Sequence, residues 1–507
     1  MVKLIKREIS ISLLSAIISL YTLIAYHYPL FKLVTESVEG GINSVIITGG
    51  LAILMLATNF MIGYIFLYLF RGVGRWIIAI SLIADAVSLY FINTYDVLIT
   101  ASMMGNVFNT RYSEASSYFS LSAVLYTLFL GILPAIYVIS RKVDYGSTKL
   151  FFKRIGVALA TMLAMVAINI NNFTWIDRNA TKLGSLLMPW SYTVNSIRYH
   201  NAQKKRNAKE ILLPDAKITN SDKEVVVLII GESARRENFS LYGYHKKTNP
   251  LLENQNITAL KATSAATYTT AGVKAILDHK PTDKLYEILP NYLYRAGVDV
   301  VWRTNNWGEP PLHIEKVEKV AKLKELYPTA DERYDGILLE GLSDVIESCS
   351  SDKQLIVLHT STSHGPTYYS KYPAEFEHFT PVCTTVEMAK ADRAELLNAY
   401  DNTILYTDFL VNSTIEILKN ITDRRSCMIF ISDHGESLGE NNLYMHGVPM
   451  ALAPKEQVEI PFIVWSSDKT VSVADVEDAG QYHIFHSVLD FLDIESEIYN
   501  PAMTIFE

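Results

Sequence analysis

The stretch Val225-Val226-Val227-Leu228-Ile229-Ile230-Gly231-Glu232-Ser233 is an unbroken apolar run, mostly β-branched, that breaks at a glycine into polar residues. A half-buried strand alternates apolar and polar side chains. A continuous run of this length fits a strand covered on both faces, as in a parallel sheet flanked by helices. Four similar runs follow, Val298 to Trp302, Leu355 to Leu358, Cys427 to Ile431 and Ile460 to Trp465, separated by helical patterns. Residues 223–507 are therefore read as an α/β domain with a mainly parallel central sheet.

Catalytic groups in such open sheets gather beyond the carboxyl ends of the strands, and the residues there are polar. Gly231-Glu232-Ser233 follows the first run, His359-Thr360-Ser361-Thr362-Ser363-His364 the third, and Ser432-Asp433-His434-Gly435-Glu436 the fourth. Carboxylates and imidazoles converging on one edge make a ligand set that suits Zn²⁺. The alternative for any one of these residues is a strand-end cap or salt bridge. His359 reads equally as a ligand or as a donor supporting one. Between the first and second runs, Thr267-Tyr268-Thr269-Thr270-Ala271-Gly272-Val273 leads into a helical pattern, placing a threonine hydroxyl at a helix N-terminus, where phosphate is favoured. A cation lowers a hydroxyl pKa enough to make it a nucleophile, although Ser and Thr are also ordinary helix caps.

The rest of the chain has a different solvent. Of 507 residues, 49% are hydrophobic and 19% charged. Residues 1–172 hold 12 Lys/Arg against 7 Asp/Glu, and the remainder 33 against 46. An acidic remainder offers no basic surface for nucleic acid. Stretches 9–31, 40–70, 115–140 and 155–176 carry no charged side chain, and a fifth from Trp76 to Thr100 is interrupted only by Asp85 and Asp96. Each is long enough to cross a hydrocarbon core about 30 Å thick as a helix, so residues 1–172 are read as a transmembrane domain of five helices. Lys3, Lys6, Arg7, Arg71, Arg75, Arg141, Lys142, Lys149, Lys153 and Arg154 fall in alternate loops, with only Lys32 and Arg111 opposite. Cytoplasmic loops retain such cations, which puts the N-terminus inside and everything after about residue 172 outside. Residues 173–222, with Trp175, Trp190 and the cationic run 200–206, read as an interfacial helix and linker or as a solvated connection. Asp85 marks a polar pathway, or is paired or faces a wet cavity.

The ordered set Gly231-Glu232-Ser233-Ala234-Arg235, Asn238-Phe239-Ser240-Leu241-Tyr242-Gly243-Tyr244, Ser363-His364-Gly365-Pro366, Ser432-Asp433-His434-Gly435-Glu436 and His446-Gly447 resembles the lipid A phosphoethanolamine transferases, which include the mobile colistin-resistance enzymes. Tyr400-Asp401-Asn402-Thr403 and Ile460-Pro461-Phe462 extend the likeness. The resemblance implies a sulfatase or alkaline-phosphatase-like domain in the periplasm, anchored in a Gram-negative inner membrane and acting as a monomer. It implies transfer of phosphoethanolamine from phosphatidylethanolamine, through a phospho-threonine, to lipid A or a lipooligosaccharide. By the same matching Thr270 is the nucleophile; Glu232, Thr270, Asp433 and His434 hold one Zn²⁺; His364 and His446 attend the phosphoryl group; Glu436 contacts substrate or completes a second metal site; and Asn106, Thr110 and Asn306 meet substrate. A slip of one residue would exchange Thr270 for Thr269. Two departures stand out: Pro310 replaces a phosphate-binding Lys of some members, and Cys349, Cys383 and Cys427 include no pair bracketing the nucleophile, with Cys427 read as a free thiol in a buried strand. The alternatives are a sulfatase-type phosphoglycerol transferase, a phosphate or sulfate ester hydrolase, and an inactive membrane receptor.

Overall fold

The computed structural model describes residues 8–38, 42–110, 118–172, 175–176, 179–206, 210–385, 388–474 and 476–507. Lys3, Lys6, Arg7 and Arg111, whose charges bear on orientation, lie outside them. The chain forms two compact units, residues 1–201 and 202–507.

The first unit is helical. α1 (Ile11–Tyr26) and α2 (Tyr28–Ser37) meet at 58°, and α3 (Ile42–Tyr95) runs for 54 residues. At 1.5 Å per residue a straight helix of that length would be about 80 Å long, but α3 breaks at Arg71, which has φ 44 and ψ −110. Two contacts show that it folds back. Ser19 Oγ of α1 donates to Leu56 O at 2.7 Å, and Tyr26 OH, two turns further along α1, donates to Leu82 O at 3.2 Å. Those carbonyls would lie about 39 Å apart on one straight helix. Gly74 permits the close return, since a Cβ there would overlap the Phe66 carbonyl. Among the described residues three helices are long and apolar enough to cross a membrane, or four with the bent α1–α2 pair taken as one span, when α3 is counted once. The expected five stretches thus become fewer continuous helices, because the linker around Arg71 stays helical on both sides of a single aberrant residue.

Leu121–Ser140 illustrates how a helix in an apolar solvent repairs a lost bond. Pro134 has no N–H, so Leu130 O, four residues earlier, lacks its intrahelical donor; the hydroxyls of Tyr21 and Tyr26 donate to it at 2.8 and 2.6 Å. The preceding Thr127–Ile132 widens into π geometry. Thr148–Ile168 completes the long helices. Asp85 is buried within this unit, and its Oδ1 has no hydrogen-bond partner among the described residues. Trp190, which opens the helix Trp190–Arg206, is anchored in the same unit by a 2.9 Å bond from Nε1 to Asn59 Oδ1.

The second unit is built on an eight-stranded sheet. Its strands are β1 (Glu224–Gly231), β2 (Thr258–Thr263), β3 (Asp299–Thr304), β4 (Lys316–Lys319), β5 (Lys353–His359), β6 (Arg425–Ser432), β7 (Glu459–Ser466) and β8 (Ala479–Gly480), in spatial order β8-β2-β7-β6-β1-β5-β3-β4. All eight residues of β1 are buried, as the unbroken apolar run requires. The sheet is mixed. β7 runs antiparallel to β6 and β2, while the other five pairings are parallel. The expectation that Ile460 to Trp465 joins the parallel set is thereby corrected: among the described residues no crossover helix long enough to return the chain lies between β6 and β7, and without one the next strand runs back. Because β2 and β8 lie beyond that reversed strand, their carboxyl ends return to the edge where β1, β3, β5 and β6 end.

Candidate metal centre and nucleophile

Each ligand-type side chain is delivered by a strand end. β1 leaves the sheet at Gly231, where the Phe430 ring leaves no room for a Cβ, and turns so sharply that Ser233 takes φ 53. Positive φ at a non-glycine residue costs of order 1–3 kcal/mol, and several bonds hold it. Ser233 N donates to Asp433 Oδ1 (3.0 Å), Ala234 N to Ser432 Oγ (2.9 Å) and Tyr400 OH to Ser233 O (2.7 Å). The turn aims the Glu232 carboxylate at the end of β6. There it receives Ser233 Oγ on Oε1 (2.8 Å) and Asn306 Nδ2, from the end of β3, on Oε2 (2.7 Å).

Glu232, Asp433 and His434 offer three ligand atoms within 4.8 Å of one another, all buried. His434 Nδ1 faces Gly435 O at 2.9 Å and so carries the hydrogen. Its Nε2 points at Glu232 Oε1 and Asp433 Oδ2, both 3.4 Å away, and is the nitrogen that can offer a lone pair. Asp433 Oδ1 accepts from Ser233 N and His434 N, but Oδ2 is buried with no hydrogen-bond partner among the described residues. An orphaned carboxylate oxygen beside a second carboxylate is costly unless a cation is bound. The charges respond accordingly. Burial, then the Glu232 charge, push the Asp433 carboxyl well above its ordinary range. Burial would depress His434, but the two carboxylates raise it to about 10. Burial would raise Glu232, but the hydrogen bond and charge of His434, with His364 and His446, hold it well below the usual range. Two carboxylates and an imidazole fit Zn²⁺.

The hydroxyl that reaches this cluster belongs to Thr269. It opens the helix Thr269–Leu277 and lies 3.3 Å from both Glu232 oxygens and 3.5 Å from His434 Nε2. Thr270, the expected position, is half-buried and makes no hydrogen bond to Glu232, Asp433 or His434. The reason is rotational: adjacent helical residues point about 100° apart, so only one of the pair can face the cluster. The helix comes very close, because a Cβ on Gly272 would overlap the Asp433 carbonyl.

A second group, His434, Glu436 and His446, shares His434 with the first. His446 Nδ1 lies 2.8 Å from Glu436 Oε2, and Tyr368 OH donates to Glu436 Oε1 at 2.6 Å. The His446 ring is 4.3 Å from that of His434 and 5.4 Å from that of His364. Asn306, besides holding Glu232, donates to Thr360 O at 2.7 Å. Asn106 and Thr110 lie in the other unit, where Thr110 caps the helix Ala101–Asn109 by donating to Asn106 O. His359 packs edge-on to Trp302 and belongs to neither ligand group. Glu440 pairs with buried Arg235 at 3.0 Å and with Arg393 at 3.2 Å. Two contributors carried no motif: Tyr368 and Gln481, whose Nε2 donates to Asp433 O at 2.6 Å. Cys349, Cys383 and Cys427 are all free.

A sulfatase profile matches residues 224–494, and the phosphoethanolamine transferase EptA/EptB profile matches residues 54–204. Phosphoethanolamine transferase EptA of Helicobacter pylori is 35% identical, with 96% of this chain and 95% of that protein covered. Phosphatidylethanolamine transferase Mcr-1 of Escherichia coli is 30% identical over 84% of this chain and 85% of that protein. The solved structure of the integral membrane lipooligosaccharide phosphoethanolamine transferase A of Neisseria meningitidis superposes with a TM-score of 0.89 at 28% identity, covering 99% of each chain. With its apolar helices, sulfatase domain and these relatives, the chain belongs to the lipid A phosphoethanolamine transferase family and is a membrane-bound transferase.

Proposed function

We propose that the protein transfers phosphoethanolamine from phosphatidylethanolamine to lipid A or a related lipooligosaccharide by two displacements at Thr269. The observation that carries this reading is the Thr269 hydroxyl, set at a helix N-terminus against Glu232 and His434. In the first displacement Thr269 Oγ attacks the phosphorus, the bond to the diacylglycerol oxygen breaks, and diacylglycerol leaves as the alcohol, taking a proton. In the second an acceptor phosphate or hydroxyl attacks the phospho-threonine and restores the hydroxyl. Glu232, Asp433 and His434, with Thr269 itself, would hold Zn²⁺, which when bound supplies Lewis-acid stabilisation of phosphoryl charge and lowers the hydroxyl pKa. Glu436 orients His446 through Nδ1, leaving Nε2 to give a proton to the leaving alkoxide and later take one from the acceptor. His364 stands beside it as a further donor to phosphoryl oxygen, and Glu436 would contact substrate or supply a carboxylate to a second cation. Asn306 positions Glu232; Asn106 and Thr110 would contact the donor lipid.

We place the protein in a Gram-negative inner membrane as a monomer, with its N-terminus cytoplasmic, five crossings and the catalytic unit periplasmic. The fold-back at Arg71 supports the count by making two crossings of α3. A membrane anchor and a catalytic unit in one chain keep a lipid donor near the chemistry.

Mass analysis after incubation with phosphatidylethanolamine tests the reading. A phosphoethanolamine adduct is expected on Thr269, lost in Thr269→Ala and kept in Thr270→Ala. An adduct on Thr270, or ester hydrolysis with no adduct, overturns it.

A further inference from the structure

The Asp433 carbonyl oxygen is met from two sides. On one lies Gly272 of the nucleophile helix, so close that no side chain fits between. On the other lies the Gln481 carboxamide, which is 1% exposed. Its Nε2 donates to Asp433 O at 2.6 Å and to Ser432 O at 3.1 Å, and its Oε1 accepts from Ala265 N at 2.9 Å. Ala265 belongs to the strap that runs from the end of β2 to Thr269. One amide therefore ties the loop bearing Asp433 and His434 to the segment bearing Thr269, with both of its donors and its acceptor engaged.

A cavity of about 530 Å³ opens beside the strap, lined by Thr263, Ser264, Ala265 and Gln481 itself, and β8, which delivers Gln481, pairs with β2 over two residues only. We propose that Gln481 is a positioning residue for phosphoryl transfer, whose carboxamide sets the separation between the Asp433 carboxylate and the Thr269 hydroxyl. This rests on Asp433 as metal ligand and Thr269 as nucleophile. Only an amide meets the geometry. Glutamate would turn an acceptor toward two carbonyl oxygens, and methionine keeps the length but neither donates nor accepts a comparable bond.

The test uses the full-length protein in detergent, comparing wild type, Gln481→Glu and Gln481→Met. Three quantities are measured: zinc affinity by competition with a chromophoric chelator, the rate of adduct formation with its dependence on phosphatidylethanolamine concentration, and the thermal midpoint. Partners that orient metal ligands are worth about 10–100-fold in affinity, and a misplacement near 1 Å costs about 10²-fold in rate. Both variants are expected to lose zinc affinity by the first factor and maximal adduct rate by the second, with the half-saturating lipid concentration unchanged. Zinc affinity and maximal rate equal to wild type overturn the proposal. So does a fall that only tracks the lost folded fraction, since Gln481 is then a brace of the fold. If Gln481→Glu does not fold, Gln481→Asn keeps the amide but shortens its reach, and the same shifts are expected of it. A wild-type protein that binds no zinc and forms no adduct on Thr269 refutes the underlying reading instead, and does so without any variant.

Discussion

Adding one methyl group at Gly272 should separate the Thr269 hydroxyl, the proposed nucleophile, from Glu232 and His434, the proposed metal ligands. A Cβ there would stand 2.8 Å from the Asp433 carbonyl carbon and 3.2 Å from its Cα, against an optimum of about 3.5–4.0 Å for carbon pairs. Relief therefore requires a movement of about 1 Å. Asp433 O is held by Gln481 Nε2 at 2.6 Å, so the helix Thr269–Leu277 is expected to move and carry Thr269 away from Glu232 and His434. Overpacking of this size costs about 1–3 kcal/mol of stability, and a 1 Å displacement of a reacting group costs about 10²-fold in rate. In Gly272→Ala the single-turnover rate of adduct formation should fall by about that factor at saturating lipid, while the thermal midpoint drops by only a few degrees. Propensity works the other way, since alanine favours a helix interior by about 1 kcal/mol over glycine. A variant of unchanged rate, whatever its stability, would refute the claim that this contact sets the geometry.

Three further outcomes follow from the same structure. Stripping zinc with a chelator should lower the thermal midpoint, and restoring it to about 100 times its dissociation constant should return roughly 2.7 kcal/mol; Asp433→Ala should abolish this response, and an equal response in that variant would contradict the ligand assignment. Tyr400→Phe removes the bond to Ser233 O and the acceptor for Arg235 N, leaving a buried amide unpaired at the strained turn, and should cost about 1–3 kcal/mol by denaturant titration. His279 is held down to about 4 by burial and by the positive charges of Lys280, His486 and Lys274. With its folded pKa below the ordinary value, the unfolded chain binds more protons between about pH 6.5 and 4, so this group's contribution is complete above 6.5 and is lost as pH falls toward 4. The loss is about 3 kcal/mol. His279 Nδ1 has no hydrogen-bond partner among the described residues and the ring lies against Tyr286 and Phe485, so His279→Phe should flatten that part of the acid slope; an unchanged slope would show that His483 and His486, also depressed by burial, account for it.

The strands legible in the sequence are those whose side chains are nearly all buried, because a short, almost uninterrupted apolar run is stable in water only when both of its faces are covered. β2, β4 and β8 left no such mark. Thr258–Thr263 alternates at half exposure, Lys316–Lys319 is charged, and β8 has two residues. The direction of β7 depends on what precedes it rather than on its composition. At the site, Glu232, Asp433 and His434 could be picked out because strand ends concentrate chemistry, whereas choosing between Thr269 and Thr270 needs the helix phase. Gln481 acts through bonds to main-chain atoms, and any glutamine reads alike until its partners are placed. The reversal at Arg71 was legible as a polar interruption between two spans, whereas the helical continuity on both sides of it was not, because a helix hairpin with no proline or loop leaves no mark of its own.

The free cysteines bear on how the enzyme is made. Cys427 sits in the middle of the sheet, its thiol pushed up by burial and inert, and neither Cys349 nor Cys383 clamps the nucleophile segment. Reducing agents therefore find no bond to cut, and the catalytic unit has no oxidative maturation step to wait for. Cells with impaired thiol-oxidising machinery should still yield working enzyme.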